Sequence, residues 1–289
     1  MMSRAELSRQ PQFSEISPDA GCLDEAAVAD VMRDDPDEAL ALLASMTSVM
    51  DRRLRELARA LAGRLMLDVA RDGPAASRRI GRIATTRWQP DGGDVDIDAS
   101  VDALVTASAS RSAVDVEELR QRNWIRPTTA ICLLIDRSGS MTGRPLATNA
   151  VAAAAVAWRN PDDFSVISFA RQSIVVKPQW AHRSVGEVVD AVLALRGHGT
   201  TDVAGALDAA RRQLDRSHAG RKITVLLSDC RDTESGDPAG AAAGLDELVI
   251  VAPDGDDDEA RAFADRTGAR ITTVAGPSDV PAALARLLS

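Results

Sequence analysis

The chain has 289 residues, 45% of them hydrophobic and 27% charged, with a formal net charge of −9. That length allows one large domain or two smaller ones, each with a sizeable core. The acidic balance disfavours general binding to nucleic acid or to anionic membranes. The three cysteines, Cys22, Cys132 and Cys230, are odd in number and too far apart for a disulfide framework or a zinc site.

The opening run MMSRAELSRQPQFSEIS has no apolar centre and does not read as a signal peptide. Residues 1–20 are polar and are expected to form a disordered tail. Asp35-Pro36-Asp37-Glu38 then predicts a helix start, with Asp35 as N-cap, proline at the first helical position and acids in the first turn. From there to Ala70 the pattern reads as one long helix or two. Leu54, Leu57, Ala58, Leu61 and Leu65 mark its apolar face.

From Arg52 to Arg87 the chain holds ten arginines against three acids. This is either a solvated helix face plus loop or a docking surface for an acidic partner. A break follows at RDGPAAS. Then come a strand, a turn at Asp91-Gly92-Gly93, a short strand and a helix start, a pattern that allows a β-hairpin. Residues 21–122 thus read as a mainly helical N-terminal region. No internal repeat is visible.

The character changes near Asn123. TAICLLID, DFSVISFA, KITVLLSD, ELVIVAP and ARITTVAG read as strands, and SIVVKPQW as a short edge strand. Helical patterns lie between them, over RPLATNAVAAAAVAWRN, SVGEVVDAVLALR, DVAGALDAARRQLDRS and DDDEARAFADRTG. SDVPAALARLLS closes the chain as a helix. The low-charge run LATNAVAAAAVAWR is too short to span a bilayer. Continuous apolar strands, each followed by a helix, predict an α/β domain over 123–289, a mostly parallel, doubly wound sheet covered on both faces. Ligands of such sheets bind beyond the carboxyl ends of the strands.

Asp136, Ser138 and Ser140 fall at such an end, in ICLLIDRSGSMTG, and so does Asp229, at the end of ITVLLSD. The loop GHGTTD, 197–202, is a third segment able to converge there. All these side chains offer oxygen, which suits a hard cation such as Mg²⁺ or Mn²⁺. Gly139 and Gly143 permit a tight turn that aims both serines at one point. Taken alone, the Asp-x-Ser-x-Ser turn is equally a helix cap. His198 is either a polar loop residue or a contact for a partner carboxylate. His182 and His218 have no companions that would make a ligand set. The acids at 254–261 lack the spacing of a calcium loop and suit a helix N-terminus.

DRSGSM resembles the Asp-x-Ser-x-Ser signature of the von Willebrand factor A (VWA) domain, which carries a metal-ion-dependent adhesion site (MIDAS). GTTDVAGAL is similar to that family's Gly-Thr-Asp/Asn loop, and VLLSDCRD to its Thr-Asp-Gly strand end. The resemblance covers about residues 125–289. It implies that Ser138 and Ser140 ligate Mg²⁺ or Mn²⁺ directly, Thr201 directly or through water, and Asp136 and Asp229 largely through water. The sixth position would be left for a partner's Asp or Glu. Cys230 stands where the family has Gly, so the loop after Asp229 is less free to take positive φ. Thr200 adjoins Thr201, and by analogy Asp202 after them favours Thr201. Ser228 replaces the usual Thr.

The helical N-terminal region looks like the segment that precedes the VWA domain in cytosolic bacterial proteins paired with MoxR-type AAA+ ATPases. The D subunit of magnesium chelatase is a more distant likeness. This implies a cytoplasmic, non-enzymatic adaptor or co-chaperone, whose partner is such an ATPase or its client, with no nucleic acid and no membrane. The chain has no GxxxxGK[ST] loop, so it does not look like the ATPase itself. The alternative is a metal-dependent, phosphatase-like hydrolase. Phosphatases of the haloacid-dehalogenase type use Asp-x-Asp, and here Ser138 takes the place of the second, acid-donating residue. A G-x-S-x-G nucleophile turn is also missing from RSGSMTG. Extracellular adhesion, a third reading, finds no signal peptide, disulfide pair or anchor to support it.

Overall fold

The computed structural model describes residues 4–9, 12–49, 51–71, 82–88, 94–125, 128–137, 143–197 and 199–288. Ser138, Ser140, His198 and the turn at 91–93 lie outside the described residues. In chain order the helices are α1 (Arg4–Leu7), α2 (Phe13–Ile16), α3 (Glu25–Asp34), α4 (Pro36–Met46) and α5 (Arg52–Arg71). Next come β1 (Arg82–Arg87), β2 (Asp94–Val95), α6 (Val101–Ser110), β3 (Arg120–Ile125), β4 (Thr129–Asp136), α7 (Arg144–Arg159), β5 (Phe164–Phe169) and β6 (Ser173–Lys177). The rest are α8 (Val185–Leu193), α9 (Val203–Leu214), β7 (Arg221–Leu227), α10 (Pro238–Ala242), β8 (Glu247–Pro253), α11 (Asp258–Thr267), β9 (Arg270–Val274) and α12 (Val280–Leu288).

The chain divides into two compact units, residues 1–76 with 129–289, and residues 77–128. The first unit is built on a six-stranded sheet of order β6-β5-β4-β7-β8-β9. All neighbours in it are parallel except β5 and β6. Both faces are covered, so β4 reads as an unbroken apolar run whose alternate residues enter two different cores. Ala130, Cys132 and Leu134 pack with Val203, Leu207 and Phe263 of α9 and α11. Ile131, Leu133 and Ile135 face the other way, toward α7, α8 and α12.

On that second side the protein adds a further helical layer. α4 and α5 lie over α7, which is therefore buried from Leu146 to Ala157 apart from Thr148. A helix with helices or sheet on every side must be apolar all round, and the alanines of α7 let those neighbours approach. Asp35 caps α4 by accepting from the Glu38 N–H (3.0 Å), with Pro36 at the first position. Asp51 likewise accepts from the Leu54 N–H (3.1 Å) at the start of α5. The 38–70 segment is thus two helices. The buried face of α5 is Leu54, Ala58, Leu61, Ala62 and Met66, whereas Leu57 is exposed. The segment expected as a disordered tail contributes α1 and α2, with Leu7, Phe13 and Ile16 fully buried in the same core. Burying each of those side chains is worth roughly 1.5–3 kcal/mol, which offsets the ordering of a short polar segment.

The second unit is a three-stranded antiparallel sheet of order β1-β3-β2 with α6. β1 and β2, the two strands on either side of the 91–93 turn, do not form a hairpin with each other. β3 lies between them and pairs with both. The reason is length: β3 offers β1 six paired residues, from Arg82↔Ile125 to Arg87↔Arg120, while β2 has only two residues to offer. Buried Asp96 fastens the arrangement. It accepts from Arg122 Nε (3.0 Å), Thr85 Oγ1 (2.9 Å) and the Ala99 N–H (3.2 Å). The Arg122 hydrogen bond, first among these, holds the Asp96 carboxyl below its ordinary range. Among the described residues of the chain, no helix is long and apolar enough to cross a membrane.

Candidate metal site

From β4 the chain winds toward β5 and β6 on one side and later returns to β7 on the other. The sheet therefore switches direction between β4 and β7, and beyond the carboxyl ends of these strands lies the crevice where such folds take ligands. β4 ends at Asp136. The register pairs Ile135 with Leu227, so Asp136 and Ser228 emerge side by side and Asp229 follows. All three line a crevice of about 410 Å³ with Leu227, Val251, Thr148 and Asn149.

The carboxylates are held by local bonds. Ser228 Oγ donates to Asp136 Oδ2 (2.6 Å) and accepts the Cys230 N–H (2.9 Å). Asp229 Oδ1 accepts the N–H of Arg231 (3.0 Å), and the Arg231 side chain lies 4.0 Å from Asp229 Oδ2 while pairing with Asp256. Cys230 takes φ +60°. The expected obstacle is thus overcome, at a cost of about 1 kcal/mol for a non-glycine residue in the left-handed region. Its N–H bond to Ser228 and the burial of its side chain hold it there. Burial first, then the negative charges of Asp229 and Asp136, push the Cys230 thiol up to about 12, so it stays protonated and unreactive near neutrality.

The third segment is anchored to the same edge of the sheet. The Asp202 N–H donates to the carbonyl of Ala170, just past β5 (3.0 Å). Asp202 also caps α9, accepting from the Gly205 N–H (2.8 Å). The N–H of buried Thr201 donates to Thr233 Oγ1 (2.7 Å), and its carbonyl accepts the Thr233 N–H (3.0 Å). Thr200 donates its hydroxyl to Glu234 (2.6 Å). Asp136 and Asp229 are therefore brought to one crevice, and Thr201 to a loop on the same edge. Ser138 and Ser140 lie outside the described residues. Among those described, no group of three or more His, Cys, Asp or Glu side chains is placed to hold a metal. Sequence reasoning missed the bridging role of Ser228 and the ties from Thr233 and Glu234. The position of Ser228 beside Asp229 at a strand end was the available signal.

Residues 131–231 match the family model of the von Willebrand factor type A domain. This segment of the chain is VWA-like. Domains of this family are generally protein-interaction modules. The matched span holds β4 through β7 and all three segments of the candidate site. No curated protein matches the chain. Among solved structures it is similar to a conserved hypothetical protein, BatB, from Bacteroides thetaiotaomicron, at 14% identity over 56% of this chain and 97% of that one, TM-score 0.44. It is also similar to a von Willebrand factor type A protein from Catenulispora acidiphila, at 20% identity over 56% and 42%, TM-score 0.43. A third is the manganese-loaded TRAP protein of Plasmodium vivax, at 13% identity over 56% and 74%, TM-score 0.44.

Proposed function

We propose that the VWA domain binds Mg²⁺ or Mn²⁺ through Asp136, Ser138, Ser140, Thr201 and Asp229, and through it a carboxylate of a partner protein. The observation that carries this reading is the convergence of Asp136 and Asp229 at the crevice between β4 and β7, each oriented by its own hydrogen bond. The donor set is all oxygen, as a hard cation needs. A bound Mg²⁺ supplies the electrophile that a partner Asp or Glu ligates. Ser228 fixes the Asp136 carboxylate, the backbone of Arg231 orients Asp229, and Thr233 positions Thr201. Thr201, buried and held by Thr233, is the threonine proposed for the cation, while its neighbour Thr200 donates its hydroxyl to Glu234.

The protein acts in the cytoplasm as a non-enzymatic adaptor of a MoxR-type AAA+ ATPase, gripping an acid on the ATPase or its client. The experiment is Mg²⁺ titration of the whole chain by calorimetry, with pull-down from native lysate in Mg²⁺ and in EDTA. Wild type should bind Mg²⁺, and Asp136→Ala or Ser138→Ala should lose metal and partner together while melting as wild type does. Partner capture that survives EDTA, or normal capture by either variant, overturns the reading.

A further inference from the structure

Asp229 has a positive charge of the protein's own beside it. Arg231 reaches both oxygens of this carboxylate: its backbone N–H donates to Oδ1 (3.0 Å), and its side-chain Nε lies 4.0 Å from Oδ2. The turn at Cys230, with φ +60°, brings Arg231 back to the acid two residues before it. Among the described residues no other Lys or Arg comes within 4.0 Å of the Asp229 carboxylate.

The same guanidinium touches a second acid of the crevice. β7 and β8 are neighbours, with Leu227 paired to Val251, so the loops beyond their carboxyl ends rise side by side. Past β8 the chain turns at Gly255, whose φ of +76° suits glycine, and Asp256 follows. Nη2 of Arg231 donates to Asp256 Oδ1. Asp229 and Asp256 both line the crevice. One arginine thus stands between two carboxylates of the site, bonded to one and 4.0 Å from the other. Arg144, a guanidinium that also lines the crevice, is engaged elsewhere. It lies 3.7 Å from Glu38 and donates to the Ala275 carbonyl (3.4 Å).

Given the metal site proposed above, on which this inference rests, we propose that Arg231 sets how tightly the crevice holds its cation, and that Asp256 acts through Arg231 by keeping the guanidinium off Asp229. A positive charge so close to Asp229 Oδ2 repels a metal ion and competes with it for that carboxylate. The Arg231 side chain is 60% exposed and that of Asp256 46%, and exposed ion pairs are weak. The guanidinium can therefore pass from one carboxylate to the other at little cost. With Asp256 charged, it rests there. With that charge removed, Asp229 is the remaining acid within its reach. Arg231 and Asp256 are thus positioning residues, and neither is a proposed ligand.

The test is calorimetric titration of the whole chain with Mg²⁺ and with Mn²⁺, in wild type, R231Q, D256N and the double variant. The N–H that bonds Asp229 Oδ1 belongs to the backbone, so R231Q keeps that bond and removes only the charge. R231Q should bind the cation about fivefold more tightly, the weight of one unit charge a few ångströms away near a protein surface, and R231K should bind as wild type does. D256N should bind about fivefold more weakly. In the R231Q background the same change should alter affinity by less than about twofold, because the two residues act as one unit. About 0.5 M NaCl should shrink all these differences, and without metal the variants should melt within about 3 °C of wild type. A wild type that binds neither Mg²⁺ nor Mn²⁺ overturns the metal reading, and this inference with it. Binding of equal affinity by wild type and R231Q overturns the role of Arg231 alone. An equal loss from D256N in both backgrounds means that Asp256 acts by its own charge, and overturns its action through Arg231.

Discussion

The two ends of the six-stranded sheet each carry a carboxylate beside β4 or β5, and they treat it differently. Near the start of β5, both oxygens of Asp163 are taken up inside the protein. Oδ1 accepts from Gln179 Nε2 (2.6 Å) and Oδ2 from Ser217 Oγ. Beside it, buried Lys177 donates to the carbonyls of Phe164 and Pro178 (3.2 Å for the latter) and lies 4.0 Å from the Phe164 ring. At the opposite end, Asp136 is braced by Ser228 and lines an open crevice with Asp229. A polar cluster closed on itself rigidifies a core. One that is braced and still faces a cavity is placed where a ligand can reach it. The distinction supports placing the proposed site at the carboxyl ends of the strands, although both ends are rich in polar side chains.

The comparison is broken most severely at the closed end. Asp163→Ala removes two hydrogen bonds to a carboxylate and leaves Gln179 and Ser217 without their acceptor. It should lower the unfolding free energy by about 3 kcal/mol in urea titration, with Mg²⁺ affinity unchanged. A variant that loses Mg²⁺ binding at native stability would show that the two ends are not separate. At the open end, Ser228→Ala should do the reverse. Asp136 loses its brace, so Mg²⁺ affinity should fall about tenfold by calorimetry, while stability changes by no more than about 1 kcal/mol. Unaltered affinity would deny Ser228 its orienting role.

The smallest effect sharpens the closed end further. Burial, the largest influence, lowers Lys177 to about 8 from an ordinary 10.5, with Asp163 opposing the shift and Arg183 adding to it. Between these two values the unfolded chain holds a proton that the folded chain has released. Stability from this group therefore rises with pH across that window, and below about pH 8 both states are protonated and the term is flat. The stability difference between wild type and Lys177→Met should thus move in favour of wild type between pH 8 and 10.5. The change should be on the order of 1 kcal/mol once solvent screening is allowed for. Cys132 and Cys230, both raised to about 12 by burial, titrate alike in the two proteins and cancel in the difference. A flat difference across this range would mean that Lys177 is better solvated than its surroundings indicate.

Much of the VWA domain was legible in the chain because its signals are local. The strand β4 shows in TAICLLID as an unbroken apolar run, since each face of the strand has its own core. Asp136 and Asp229 show as acids at strand ends, where backbone pairing stops and side chains become available. Asp35-Pro36 and Asp51 mark helix starts through side-chain bonds two or three residues long. The Asp-x-Ser-x-Ser spacing, the GTTD loop and LLSD together identified the family, which the match over 131–231 bears out.

Only the tertiary structure decided what depends on neighbours remote in sequence. It put β3 between β1 and β2, because six paired residues outweigh two. It laid α4 and α5 over the alanines of α7 and drew Leu7, Phe13 and Ile16 into the same core, although they fall in a polar segment. It joined Ser228 to Asp136 across 92 residues and held Cys230 at a φ that its side chain disfavours. Local patterns determine which segments can be strands, helices and turns, because those preferences reside within a few residues. Which strand lies beside which, and which hydroxyl braces which acid, follows from packing the whole chain at once.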